Sequence, residues 1–238
     1  MAPYLDRRLL VLVGLVLGLW LGPVLTGYFI RPETLIYRHG NESRPVVALT
    51  FDDGPSARFT PQILALLAQH RVRATFFLLG RHAQRYPQLV QALAAAGHEI
   101  GNHTYSHPHL DQINQDTLAQ ELEKTAAVLA RLGVSLNGLF RPPYSKLPQN
   151  LAVYLGQINH KVILWSIDSG DWQGYPTSKI VDRVLNNLRN GAIVVFHDNN
   201  EYDGGNRQPT VEALRILLPR FQSRNLRCVT VSELLHCR

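Results

Sequence analysis

The chain has 238 residues, 45% of them apolar and 18% charged, with a formal net charge of +6. That length and composition suit one sizeable domain plus accessories and exclude a disordered chain. The 24 Lys and Arg residues form no run of five or more, which argues against a nucleic-acid partner and suits a cationic protein facing an anionic membrane or cell wall.

Residues 9–30, LLVLVGLVLGLWLGPVLTGYFI, are almost wholly apolar, and that is the length of a bilayer-spanning helix. Arg7 and Arg8 precede the stretch, so the positive-inside bias puts residues 1–8 in the cytoplasm. The expectation is one N-terminal transmembrane helix, an uncleaved single-pass membrane anchor. A signal peptide is the alternative, although its apolar core usually runs only about 7–15 residues and no clear small-x-small cleavage site follows Gly22. On either reading the remainder is extracytoplasmic, and it is secreted if the segment is cleaved. Residues 31–44 are polar, broken by Pro and Gly, and read as a linker. Within them Asn41-Glu42-Ser43 matches a glycosylation acceptor pattern. Residues 45–238 make the folded domain.

From Val46 onward short apolar runs alternate with longer helical patterns. Residues 46–51 read as a strand. Residues 61–70 read as a helix with Thr60 as N-cap and Pro61 at its first position. A strand at 74–79 leads to a helix at 86–96 closed by Gly97, then a short strand at 99–102. An amphipathic helix at 116–132 closes on Gly133 and is followed by a brief strand at 139–140. The pattern continues as helix 150–157, strand 161–167, helix 178–188, strand 192–196, helix 211–220, strand 227–231 and a last helical turn at 232–236. Strands alternating with helices predict a parallel sheet with helices outside it. Over this length that is an α/β fold, a distorted (β/α)7-8 barrel, with an open doubly wound sheet as the alternative. Cys228 and Cys237 are the only cysteines. In an exported protein they suit either a disulfide or two free thiols.

Polar groups cluster where the strands end. Asp52 and Asp53 follow the first, and a pair of acids there is costly unless a cation or a moving proton needs the charge. A solvated turn is the plainer reading of Asp-Asp alone. Later strand ends carry Asn102 to His107, Arg141 to Tyr144, Asp168 to Trp172, and His197-Asp198. In α/β barrels the active site forms on this face. His103 and His107 are four apart and would share one side of a helical turn. With one carboxylate they make a three-ligand set, as in catalytic zinc sites that keep an open position. His70, His98, His160 and His236 read as surface or capping residues, whereas His82 and Trp165 read as packing residues.

Five motifs stand in order: TFDDGP at Thr50 to Pro55, HTYSH at His103 to His107, RPPY at Arg141 to Tyr144, DSGDW at Asp168 to Trp172, and VFH at Val195 to His197. Over residues 45–236 the chain resembles the polysaccharide deacetylase family, carbohydrate esterase family 4, with its NodB-like homology domain. The resemblance implies a distorted (β/α) barrel and metal-dependent removal of N-acetyl groups from sugars in glycans. Asp52 then resembles the general base and Asp53 the metal-binding carboxylate, with His103 and His107 as the other ligands. Arg141 resembles the residue that positions the base, and the Tyr144 backbone N–H resembles an oxyanion donor. His197 resembles the general acid. Asp171 resembles the residue that tunes it, with Asp168 close enough to compete. Tyr144, Pro142, Trp172 and Val195 would contact substrate, Val195 standing where the family usually has Leu.

The chemistry explains such a set. An amide is a poor electrophile, so water must be activated, and Zn²⁺ can lower the pKa of its water to about 7 while polarising the carbonyl. Zn²⁺ is the first expectation for the metal, with Co²⁺ or another divalent ion next. A carboxylate off the metal can take a proton, Arg can hold it ionised, and a His raised by an acid can protonate the leaving amine. The expected substrate is peptidoglycan, chitin-like or another exported polysaccharide. The alternatives are an amide hydrolase on a non-sugar substrate and a catalytically silent glycan-binding module. No protein partner is inferable.

Overall fold

The computed structural model describes residues 36–236. The predicted membrane anchor and Cys237 lie outside them, so the choice between a disulfide and free thiols falls there too. No helix among the described residues is long and apolar enough to cross a membrane.

The strand β2 (Val46–Asp52) is buried along its whole length. Val47, Leu49 and Phe51 join the apolar layer beneath the helices, whereas Val46 and Ala48 join a second layer inside the curled sheet. Burial on both faces is why the run is continuously apolar and does not alternate. One edge of β2 pairs in parallel with β8 (Ala192–His197). The other edge is shared. β3 (Thr75–Leu78) takes Thr50, Phe51 and Asp52, and β9 (Arg227–Val229) takes Val46, Val47 and Ala48. Beyond β3 follow β4 (Glu99–Asn102), β5 (Leu139–Phe140), β6 (Lys161–Ile163) and β1 (Ile36–Tyr37). β7 (Ile167–Asp168) lies on the free edge of β8. All the strand ladders are parallel. Around them run α1 (Thr60–Gln69), α2 (Gly80–Arg85), α3 (Pro87–Ala95), α4 (Gln115–Arg131), α5 (Gln149–Gln157), α6 (Thr177–Asn187), α7 (Gln208–Ser223) and α8 (Val231–His236).

The single strand expected at 161–167 is two strands toward opposite ends of the sheet, β6 between β5 and β1 and β7 at the edge beside β8. Between them Leu164 N–H donates to Tyr37 and Ser166 N–H to Ile193. One backbone run therefore joins β5 to β8 and curls the sheet into a distorted (β/α) barrel. Residue periodicity cannot show a strand that changes partner halfway. The linker expected to reach residue 44 gives up Ile36–Tyr37 as an edge strand on β6, and His39 bridges to Ala192. Thr60 is not the cap of α1 but its first residue. Its hydroxyl is engaged elsewhere, accepting from Ser56 N–H and donating to Asp198. Helix α2 was not expected. Inside the barrel Gly101 is required, because a Cβ there would sit 2.5 Å from the Phe77 ring.

Phe51 stacks on Phe76 and Phe196, with ring centroids 4.9 and 5.7 Å away, and ties three adjacent strands under the helices. Replacing it with Ala leaves a cavity in that layer. Phe51→Ala is expected to cost about 3–5 kcal/mol in urea unfolding of the purified protein. A loss below about 1 kcal/mol would contradict this packing.

Candidate active site and metal centre

The inward row of β2 is Val46, Ala48, Thr50 and Asp52. Strand alternation would send Asp53 outward, toward the helices. Asp53 instead takes φ 71°, in the left-handed region that non-glycine residues rarely occupy. Both carboxylates consequently line one cleft of about 480 Å³. Gly54 makes the turn possible, since a Cβ there would lie 2.3 Å from the Asp198 carboxylate. Buried His82 donates from Nδ1 to the Asp53 carbonyl at 2.7 Å, a packing role in keeping with its sequence.

His103 and His107 do not share a helical turn. They lie in the loop after β4, with Thr104 at φ 71° and His107 at φ 62°. The loop is shaped by other side chains. Asn102 Oδ1 accepts Thr104 N–H, and Glu121 on α4 accepts Tyr105 N–H, Ser106 N–H and the Ser106 hydroxyl. His103 donates from Nδ1 to the Arg141 backbone carbonyl at 2.7 Å. His107 Nδ1 meets Glu201 Oε2 at 3.1 Å. With both Nδ1 atoms engaged, both Nε2 atoms are left to face Asp53 Oδ1, at 3.5 and 3.4 Å. Those separations match the roughly 3.4 Å edge of a tetrahedron with metal–ligand bonds near 2.1 Å. Asp53 Oδ1 is also buried with no hydrogen-bond partner, a state that a cation relieves. Burial pushes the His107 pKa down to about 4, so its imidazole is neutral, as a ligand must be. The Asp53, His103 and His107 set fits a divalent metal.

Asp52 lies beside this set but faces a different partner. Arg141, fully buried after β5, donates from Nη1 to Asp52 Oδ1 and to Thr50 Oγ1, both at 2.7 Å. Its Nε and Nη2 reach the Ile163 and Leu164 carbonyls, and its guanidinium lies 4.2 Å over the Phe77 ring. Across the cleft, His197 ends β8 in register with Asp52. Its Nδ1 meets Asp171 Oδ1 at 2.8 Å, and Asp171 Oδ2 accepts both the His197 N–H and the Thr210 hydroxyl. Burial works against charge on His197, but Asp171 outweighs it and carries the pKa up to about 9. Asp168 is occupied elsewhere, capping Gly170 N–H and facing Trp172 Nε1, so Asp171 is the acid on His197.

Pro142, Tyr144 and Trp172 line the cleft, with Tyr144 at φ 55° and Trp172 54% exposed. Arg141 and Asp171 stand behind the wall. Val195 does not reach it. It is fully buried, two residues below His197 on the same inward row, so the expected substrate contact is corrected. His98 is not a surface residue either. It is buried, accepts Ala74 N–H at Nδ1 and meets the Phe76 ring edge-on. The sequence reading also passed over Glu121, Asp198, Glu201 and Arg207. Only Asp198, next to His197, stood in a quoted cluster. Buried Arg207 donates to the Asn199 and Asp171 carbonyls and so fixes the loop behind the cleft.

Residues 39–163 match the family model described as polysaccharide deacetylase. The chain belongs to the polysaccharide deacetylase family. A peptidoglycan-N-acetylglucosamine deacetylase of Bacillus cereus is 40% identical over 195 residues, covering 82% of this chain and 70% of the relative. A chitooligosaccharide deacetylase of Sinorhizobium fredii is 37% identical over 187 residues, covering 76% of this chain and 87% of the relative. A crystal structure of a peptidoglycan N-acetylglucosamine deacetylase superposes with a TM-score of 0.81 at 38% identity, covering 85% of this chain and 94% of that one. The polysaccharide deacetylase domain of this chain thus shares both sequence and fold with these relatives.

Asp198 is fully buried. Its Oδ2 accepts the Thr60 hydroxyl, while its Oδ1 has no partner. Burial raises its pKa to about 7, above the value near 3.8 of an exposed carboxyl. The folded state therefore holds a proton that the unfolded chain has released. The stability this gives is full below the unfolded value and is lost as pH rises through about 7. Asp198→Asn removes the titration. Relative to wild type, the variant should gain melting temperature on going from pH 4 to pH 8. Parallel melting curves across that range would contradict the assignment.

Proposed function

We propose that this chain is a metal-dependent deacetylase that removes N-acetyl groups from an extracytoplasmic glycan, with peptidoglycan first among the substrates. One observation carries the reading. Two adjacent aspartates are divided between an imidazole pair and a buried arginine, opposite a histidine held by a third acid. The named activities of the relatives support the substrate class. The apolar stretch at residues 9–30 supports export, with the domain held at the membrane or secreted.

Asp53, His103 and His107 would hold the divalent ion, Zn²⁺ or a substitute such as Co²⁺. When bound there it supplies Lewis acidity, lowering the pKa of a water and polarising the acetamide carbonyl. Asp52 takes a proton from the attacking water as its oxygen bonds to the carbonyl carbon. Arg141 pairs with Asp52 and aims it through the 2.7 Å bond. Tyr144 lines the cleft, and its backbone N–H would donate to the developing oxyanion, a donor typically worth about 3 kcal/mol. His197 then protonates the nitrogen as the C–N bond breaks, releasing acetate and a free amine. Asp171 holds the imidazole in the tautomer whose Nε2 faces the cleft. Trp172 offers an exposed ring against which a sugar can lie.

The carboxylate base and the histidine acid favour turnover over a silent glycan-binding module. The exposed ring favours a sugar over a small non-sugar amide. Chelator-sensitive acetate release from peptidoglycan or acetylated chitooligosaccharides is the expected result. No release from any of them in the presence of metal would contradict the proposal. Asp52→Asn should abolish turnover while metal stays bound, and His103→Ala should lose the metal. An unchanged rate in Asp52→Asn would remove Asp52 from the base role.

The acid must be protonated to act. His197 is raised to about 9, so the active form prevails below that pH and is lost above it. Asp171→Asn withdraws the charge that raises it. The alkaline limb of kcat/KM should move to lower pH, with a fall in kcat of about 10²-fold or more. An alkaline limb left in place would show that another group sets it.

A further inference from the structure

Glu201 lies in the loop after β8, and no sequence motif pointed to it. We propose that Glu201 is the outer-sphere carboxylate that fixes His107 for metal binding, and that the Tyr144 hydroxyl holds Glu201 in place. The inference rests on the metal-centre reading above and adds a residue to it.

The two imidazoles are oriented in different ways. His103 Nδ1 donates to a main-chain carbonyl, that of Arg141. His107 Nδ1 instead meets a side chain, Glu201 Oε2, at 3.1 Å. The same oxygen accepts the Tyr144 hydroxyl, and the Glu201 backbone carbonyl accepts from Arg81. Glu201 is thus tied down at both ends, with a side chain only 24% exposed. Tyr144 is held in turn, since its ring stacks on His109 at 4.0 Å and 5° and packs T-shaped against the His107 ring with centroids 4.5 Å apart. These contacts join the loop after β5 to the loop after β8 across the metal position.

The physical consequence is twofold. A carboxylate on Nδ1 fixes the tautomer that leaves Nε2 for the metal, and it makes the imidazole a stronger donor. It also sets a second negative charge close to a dication that Asp53 alone does not neutralise. Loss of such a partner typically weakens metal binding by about 10–100-fold.

The test strips the purified protein of metal and measures Zn²⁺ affinity against a chromophoric chelator, alongside the visible spectrum of the Co²⁺-loaded form. Glu201→Gln keeps an acceptor for His107 but drops the charge, and Glu201→Ala drops both. Affinity should fall in the order wild type, Glu201→Gln, Glu201→Ala, with the Ala variant about 10–100-fold weaker and its Co²⁺ bands shifted. Tyr144→Phe should weaken binding less, in the same direction. Circular dichroism checks the fold, and if the Ala variant does not fold the Gln variant decides. Folded variants that bind Zn²⁺ within about twofold of wild type, with unchanged Co²⁺ bands, would overturn the role of Glu201. A wild-type protein that binds neither ion would overturn the metal-centre reading itself, and this inference with it.

Discussion

The buried ion pair between Arg141 and Asp52 decides what two neighbouring aspartates do. A guanidinium with no exposure is tolerable only if its donors are used, and those of Arg141 reach Asp52, Thr50 and two main-chain carbonyls. That ties Asp52 to the guanidinium through a 2.7 Å contact. Asp53 is left to the imidazoles, and its inner oxygen has no other partner. The main-chain carbonyl of Arg141 also orients His103. One residue thereby couples the proposed base to the metal ligands, so their relative positions do not depend on loop packing alone.

The backbone around this pair is unusual. Asp53, Thr104, His107 and Tyr144 all have positive φ. Such conformations typically cost about 1–3 kcal/mol each and persist only where the surroundings impose them. Here the surroundings are identifiable. Glu121 takes two N–H groups and a hydroxyl from the histidine loop, His82 grips the Asp53 carbonyl, and Gly54 leaves room for Asp198. Below the cleft both faces of β2 and β8 are filled by apolar side chains. A rigid two-sided core can support a strained rim.

Much of this was legible in the sequence, and what was missed shares a cause. Most of the strand and helix order and the polar groups at strand ends are local patterns, and the fold reproduces them apart from β1, α2 and the split of the strand expected at 161–167. Non-local pairing is different. Nothing in KVILWSID says that one half pairs with β5 and the other with β8. Nor does spacing reveal that His103 and His107 converge through a left-handed loop, when four residues apart suggests a helical turn. Spacing could not choose between Asp168 and Asp171, because one ends β7 and the other follows it by three residues. Val195 was misplaced because alternation gives the face of a residue but not its depth. Glu201 sits in a polar run, DNNEYDGGN, where no single acid stands out.

The most direct test of this account is anomalous diffraction from crystals of the protein grown with Zn²⁺. A single strong peak is predicted within bonding distance, about 2.0–2.2 Å, of an Asp53 oxygen and of Nε2 of both His103 and His107, with Asp52 outside the coordination sphere and still on Arg141. A peak elsewhere, or Asp52 bound to the ion in place of Asp53, would contradict it.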